Sequence, residues 1–593
     1  MDIFIAIFLV VCSTLLTLAV QSRGKNVARK NKDVKTKFSK KVLKSSSLLS
    51  KHSQEFNKKE ILKISGNIYV AIGYGLANCI MIEGTDGVII IDTLESCEVA
   101  REVKAEFEKI TTKPVVGIIL THFHADHASG TEVFTEGVEE VPIYAHDSFP
   151  KYFSQVMDVR SQITFKRAVR QFGTEIPEEV KENAGIGISL RLDGSTTTSY
   201  IFPTKTFSDK LIVELAGIEL ELIHAPGETN DQIIVWYKTE KILFPADNIY
   251  KAFPNLYAIR GTMHRDTLQW VEALDLMIQL EPDILVPQHT RPLHGRSEVL
   301  QTITAYRDAI QFVHDQTVRF MNKGFNGNEI AQIVKLPPHL INHPYLIEYY
   351  GTVEWSVKAV YHGYMGWFSG RPADLHPLPR IEEASLYLDL AGGVYRVLEA
   401  GEKALKDDNA QWALQLADLV LDAGQAEPED IKSAKKIRSR ALLILSTREI
   451  SAPGMNWYLT EDMVMQGLDI IPSKKSKAQR IKRGSVLSLF QMLTCMLDSS
   501  ATEQVNLNTG FNFTDSGKRI YVCIRRGIAL VKEGSITDGE ENVDIKVTTT
   551  ENTWKEIMAK EKSAVSAAMT GLIKVEPGIQ QLGVFFSYFD ING

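Results

Sequence analysis

The chain has 593 residues, more than one hydrophobic core usually organises, so about two to four domains are expected. With 44% hydrophobic and 23% charged residues the composition is that of an ordinary soluble globular protein, and a net charge of -7 gives no basis for nucleic acid as a partner. Five cysteines, odd in number and without paired spacing, argue against a disulfide framework or a cysteine-based zinc site.

Residues 3–20 are almost wholly apolar, interrupted only by Ser13, Thr14 and Thr17, which is near the minimum for crossing a bilayer. A basic stretch from Arg23 to Lys41 follows, a flank that the positive-inside rule keeps in the cytosol. The segment 1–21 is therefore expected to be a single N-terminal membrane anchor with a cytosolic catalytic body. The alternative is a cleaved signal and a secreted or lumenal protein. Residues 22–59 read as a basic, membrane-proximal linker.

From 60 to 324 short β-branched runs alternate with amphipathic segments. Strands are predicted at 67–72, 79–82 and 88–91, separated by glycine turns, then a helix at 96–109 and a strand at 115–120. Further strands are predicted at 142–145, 210–214, 218–223, 233–237, 242–244 and 284–286, with helices at 266–279 and 297–323. Strands first, then strands and helices mixed, point to an α+β layered sandwich and not a doubly wound parallel sheet. Over 325–450 helices are predicted at 381–406 and 410–423, with Trp412, Leu416 and Leu419 on one side, as in closely packed antiparallel pairs. Over 451–593 strands at 505–508, 520–524, 528–531 and 543–547 precede helices at 553–560 and 563–570, a third, α+β domain.

The strand at 115–120 runs into Thr121-His122-Phe123-His124-Ala125-Asp126-His127. His122 and His124, two apart, can converge on one ion, while Asp126 and His127 turn elsewhere and can hold a second. Imidazole and carboxylate at this spacing suit zinc. Three later segments, each at a strand end, supply further ligands. Pro226-Gly227 forces a turn that exposes Glu228, which would join His122 and His124; Asp231 is the competing carboxylate. Asp247, after the strand 242–244, is placed to bridge both ions. His289 would complete the second set with Asp126 and His127, with His294 as the alternative. Four neutral histidines and three carboxylates against two divalent ions leave about one positive charge for hydroxide or an anionic substrate.

This order of motifs resembles the metallo-β-lactamase superfamily, and a glutamate at position 228 where a histidine is usual resembles its alkylsulfatase branch. Asn255-Leu256-Tyr257-Ala258-Ile259-Arg260-Gly261 resembles the stretch carrying that branch's sulfate-binding arginine. The segment 361–372 resembles the start of its helical dimerisation domain, and the third domain is similar to a sterol-carrier-protein fold that shelters an alkyl chain. The resemblance implies an αββα sandwich with two zinc ions per subunit, a homodimer, and alkyl sulfate as substrate, cleaved by a metal-activated water. Asp126 and Asp247 would serve the chemistry, and Arg260, with Tyr257 nearby, would bind sulfate. A planar guanidinium fork suits sulfate oxygens in a way an ammonium does not. Two departures stand out: His289-Thr290-Arg291-Pro292 where His-His-Trp-Pro is common, and the shorter Asp247 where glutamate is frequent. Another hydrolase on this scaffold (lactonase, thioesterase or phosphodiesterase) and a lipid-binding protein with a structural metal are the competing functions.

Overall fold

The structure is a computed structural model that describes residues 27–39, 47–138, 140–192, 196–424, 426–471, 474–534 and 543–590. Seven strands form one sheet in chain order: β1 (Glu60–Ser65), β2 (Ile68–Ile72), β3 (Cys79–Glu83), β4 (Val88–Ile91), β5 (Val115–Ile119), β6 (Ile143–His146) and β7 (Lys205–Phe207). β1 to β4 pair antiparallel and β4 to β7 parallel. The second sheet holds β8 (Lys210–Leu215), β9 (Ile218–His224), β10 (Ile233–Tyr237), β11 (Ile242–Phe244), β12 (Ile284–Leu285) and β13 (Leu293–His294), in the order β13-β12-β11-β10-β9-β8.

The two-residue period of a strand sorts the side chains into layers. Ile80, Ile82, Ile89 and Ile91 meet Leu220, Leu222, Ile233 and Val235 between the sheets. Their neighbours Met81 and Ile90 face outward onto the helix Cys97–Phe107. On the opposite side Ile234 and Trp236 pack under the helices Thr267–Leu280 and Arg296–Met321. Both sheets are thus covered on both faces, an αββα sandwich, which explains why strands such as Val88–Ile91 are apolar throughout. The predicted helix starts at 96 and 266 prove to be caps: Ser96 accepts from Val99 N, and Asp266 from Leu268 N and Gln269 N. Trp270 anchors its helix with no exposed surface, and removing that ring would cost about 3–5 kcal/mol.

The helical part contains Val353–Met365, Arg380–Leu390, Val394–Lys406, Ala410–Asp422 and Pro428–Arg448. The single helix predicted at 381–406 is two, because Gly392 and Gly393 take φ of +87° and +95° between them. Leu416 and Val420 pack on Ala434, and Ala413 and Ala417 on Ile437. Trp412 is 49% exposed and does not join that core. The helix Ala452–Met465 packs on Pro428–Arg448 and on Ser161–Phe172 of the sandwich region. The last sheet, β14 (Asn506–Phe513), β15 (Arg519–Arg525), β16 (Ile528–Glu533), β17 (Ile545–Thr549) and β18 (Ile573–Glu576), has the order β16-β15-β14-β17-β18. Helices Val486–Thr494, Glu551–Met558 and Ile579–Ser587 cover it through Phe490, Trp554 and Phe585.

The structure does not support the expected membrane anchor. Residues 3–20 lie outside the described residues, and among the described residues no helix is long and apolar enough to cross a membrane. The helix at 27–39, within the expected linker, is too polar for such a role, carrying Arg29, Lys30, Lys32, Lys35 and Lys37. It is docked, not free. Val34 and Phe38, with Leu49, pack against Met455, Leu459 and Met463, and Asn31 donates to the Asp469 carbonyl at 2.9 Å. The single N-terminal anchor and the membrane as a partner are accordingly withdrawn, together with the localisation built on them.

Candidate metal centre

β5, β9, β11 and β12 each deliver their candidate ligands just beyond their carboxyl ends. His122 and His124 lie on the turn after β5, and Asp126 and His127 open the short helix Ala125–Ala128. Glu228 follows β9, Asp247 sits in the turn Ala246–Asn248 after β11, and His289 follows β12. Gly227 is required by close approach: a Cβ there would lie 2.0 Å from Asn248 Oδ1 and 2.8 Å from the Trp270 ring.

These seven residues converge as two donor groups. His122, His124, Glu228 and Asp247 form one; Asp126, His127 and His289 form the other. His124 Nδ1 lies 2.9 Å from His122 Nε2 and 3.2 Å from Glu228 Oε2. Asp126 Oδ2 lies 3.5 Å from both His127 Nε2 and His289 Nε2. Asp247 Oδ2 faces both groups, at 3.8 Å from His122 Nε2, 3.5 Å from His127 Nε2 and 3.1 Å from His289 Nε2.

The outer nitrogens of three rings are already committed, which turns their Nε2 lone pairs inward. His289 Nδ1 donates to the Leu76 carbonyl at 2.9 Å, and His127 Nδ1 to Asp92 Oδ2 at 2.8 Å. Thr121 Oγ1 donates to Asp92 Oδ2 and so accepts from His122 Nδ1 at 3.0 Å. Outer-shell bonds of this kind fix the tautomer and orientation of ligating imidazoles. Two buried atoms inside the cluster, His127 Nε2 and Asp247 Oδ1, have no hydrogen-bond partner. Orphaned lone pairs at the centre of such a ring fit a cation.

The clustered carboxylates call for positive charge: burial would lower the pKa of His127 and His289, but Asp247 and Asp126 overcome it and raise both, a charge that bound cations would replace. Burial would raise the pKa of Asp126, but His127 and His289 overcome it and hold the carboxyl well below the usual range. Burial, reinforced by His127, keeps His122 in the neutral form that ligates metal. Asp231 lies outside both donor groups, and burial pushes its carboxyl up to about 7. His294 lies outside them too, exposed on β13.

Arg260 reaches the rim of the cluster, its Nη2 3.1 Å from His124 Nε2. Tyr257 is 37% exposed and outside both donor groups. Sequence reasoning missed Asp92 and Arg265. Asp92 carried a faint signal, an aspartate directly after an apolar strand beside the motif strand, and it takes a left-handed φ of +59°. Arg265 carried none: it donates to Glu228 Oε1 at 2.7 Å and to the Asn255 carbonyl.

Comparison with known proteins places this geometry among relatives. Residues 72–289 match the metallo-beta-lactamase superfamily model, 326–467 that for alkyl sulfatase dimerisation, and 474–592 that for the alkyl sulfatase C-terminal region. The chain is 34% identical to a linear primary-alkylsulfatase of Pseudomonas sp., over 86% of this chain and 98% of that one. It is 28% identical to an alkyl/aryl-sulfatase of Saccharomyces cerevisiae, over 89% of this chain and 83% of that one. Among solved structures, a double mutant of a sec-alkyl sulfatase superposes with a TM-score of 0.86 at 26% identity, covering 92% of this chain and 87% of that one.

Proposed function

This chain belongs to the alkylsulfatase family of the metallo-β-lactamase superfamily, and we propose that it hydrolyses alkyl sulfate esters to alcohol and inorganic sulfate at a two-zinc centre. The observation that carries this reading is the pair of donor groups with Asp247 facing both and a guanidinium at their rim. In it, His122, His124 and Glu228 would hold one ion and Asp126, His127 and His289 the other, with Asp247, which faces both groups, shared between them. Imidazole and carboxylate donors without thiolate suit zinc in a catalytic setting. When bound, the ions supply Lewis acidity, acidifying water and offsetting negative charge on the ester.

The remaining work falls to the chain. Asp92 and the Leu76 carbonyl hold His127 and His289 in register, and Arg265 fixes Glu228. Arg260 binds the sulfate oxygens through its fork, with Tyr257 flanking the approach. We assign catalysis to the region 60–324, dimerisation to 325–450 and shelter of the alkyl chain to 451–593. Ile381, Leu390 and Tyr395 are 64%, 83% and 75% exposed, apolar surface that a second copy of the chain would cover.

The test is release of inorganic sulfate from dodecyl sulfate by the zinc-loaded protein, beside an Asp126→Ala variant and with metal content measured. Release by the parent at two zinc ions per subunit, lost in the variant, is expected. A folded, metal-loaded parent that releases no sulfate but turns over lactones, thioesters or phosphodiesters would overturn the substrate assignment.

A further inference from the structure

The helix Ser161–Phe172 presents one face to the loop that carries Arg260. Arg167 Nε donates to the Arg260 carbonyl at 2.8 Å and its Nη2 to the Ile259 carbonyl at 2.6 Å. One turn on, Gln171 Oε1 accepts from Arg260 N at 2.9 Å, and the Arg260 guanidinium lies 5.8 Å from the Phe172 ring centre. The loop around residue 260 belongs to no helix or strand, so these bonds take the place of a ladder. Two consecutive carbonyls held by one planar fork is a geometry that only arginine among the side chains supplies.

The same helix also rests on the segment matched to the dimerisation family. The Arg167 guanidinium stacks 5.1 Å from the Trp457 ring centre, Asn456 Nδ2 donates to the Gln171 carbonyl at 3.3 Å, and Arg170 pairs with Glu461 at 2.5 Å. Gln171 is 1% exposed, so the contact is a packed one.

We propose that Arg167 is a positioning residue for the substrate's sulfate, clamping the 259–260 backbone so that Arg260 faces the metal cluster, and that Trp457 of the helical segment holds Arg167 in place. The proposal rests on the reading of Arg260 as the sulfate-binding group. It gives the helical segment a second role, as a buttress of the site within its own subunit.

The experiment compares Arg167→Met, Arg167→Lys and Trp457→Leu with the parent, reading KM and kcat for dodecyl sulfate, inhibition by inorganic sulfate, zinc content and thermal midpoint. Arg167→Met is expected to raise KM and the sulfate inhibition constant together by about tenfold, with zinc content unchanged. Arg167→Lys is expected to behave nearly as poorly, since an ammonium lacks the planar fork whose two nitrogens each serve one carbonyl. Trp457→Leu should move the same constants by about threefold. In an Arg260→Ala background, Arg167→Met should change kcat/KM by no more than about twofold, because the group it positions is gone. Equal losses in both backgrounds, or an unchanged sulfate constant, would overturn the proposal while leaving the sulfatase reading intact. A parent that releases no sulfate overturns that reading first, and the inference with it.

Discussion

Replacing Arg265 by methionine tests whether a buried ion pair holds the candidate metal centre in shape. Arg265 and Glu228 are 2% and 3% exposed in their side chains and lie 2.7 Å apart. Methionine keeps most of the apolar stem and removes the charge, so Glu228 keeps only histidine partners on its other oxygen, with His124 at 3.2 Å. Removing one member of a buried pair strands the other, at a cost of about 3–5 kcal/mol. Cations beside Glu228 would compensate part of this, so the loss should be largest in metal-free protein. The chain has several domains, and the relevant transition is therefore the urea midpoint that added zinc shifts. We expect Arg265→Met to lower that midpoint strongly without metal and less with it. The double variant Arg265→Met, Glu228→Gln should recover most of the loss, a coupling of about 2 kcal/mol. An unchanged midpoint, or a double variant as unstable as the single one, would refute the argument that this pair is a stabilising clamp and not a costly relic.

Three further outcomes follow from other parts of the molecule. Asp92→Asn removes the carboxylate oxygen shared by His127 and Thr121, and should weaken zinc affinity by about 10- to 100-fold in competition with a chelating dye; unaltered affinity would count against the orienting role. His52 is buried, bonded to the Gly185 carbonyl and stacked on Tyr349, and burial lowers its pKa to about 4 from 6.5. The unfolded chain then binds the extra proton between pH 6.5 and 4, so stability falls as pH drops through that window, by on the order of 3 kcal/mol in all. His52→Gln should flatten that dependence in urea midpoints taken at several pH values; an identical pH slope in variant and parent would show that the acid sensitivity arises elsewhere. Finally, Leu390→Asp with Tyr395→Asp places charge on the exposed apolar surface of the helical part and should yield a monomer by light scattering with zinc content intact. A dimer that survives both changes would move the interface to another face.

What could be read locally was read from local chemistry. β2 to β6 and β8 to β11 announced themselves through β-branched runs, since a half-buried or fully buried strand must repeat its apolar residues with the pleat. Seven candidate donors after strand ends, which the structure gathers into two groups, were equally legible, because metal chemistry restricts residue type and spacing. β1, β7 and β13 were not, being partly exposed edge strands whose pairing comes from neighbours and not from their own pattern. The basic segment before residue 60 looked like a tether because apolar residues such as Val34, Phe38 and Leu49 gain a purpose only when Met455 and Leu459 are beside them. Trp412 looked like core because a helix periodicity shows which residues share a face, not whether another element covers it.

Sequence favours Glu228 over Asp231 and His289 over His294 without excluding either alternative, since both candidates in each pair have the right chemistry; the structure brings Glu228 and His289, and neither alternative, into the donor groups. The partners that hold the ligands were a tertiary decision: Asp92 lies 35 residues from His127, and Arg167 lies 93 from Arg260. Sequence by itself determined which side chains are able to ligate and which segments must bury a face, because those depend on the residue and its immediate neighbours. Which of them meet, and with what tautomer and charge, was decided only when the two sheets and their helices closed, because hydrogen bonds and desolvation act across space and not along the chain.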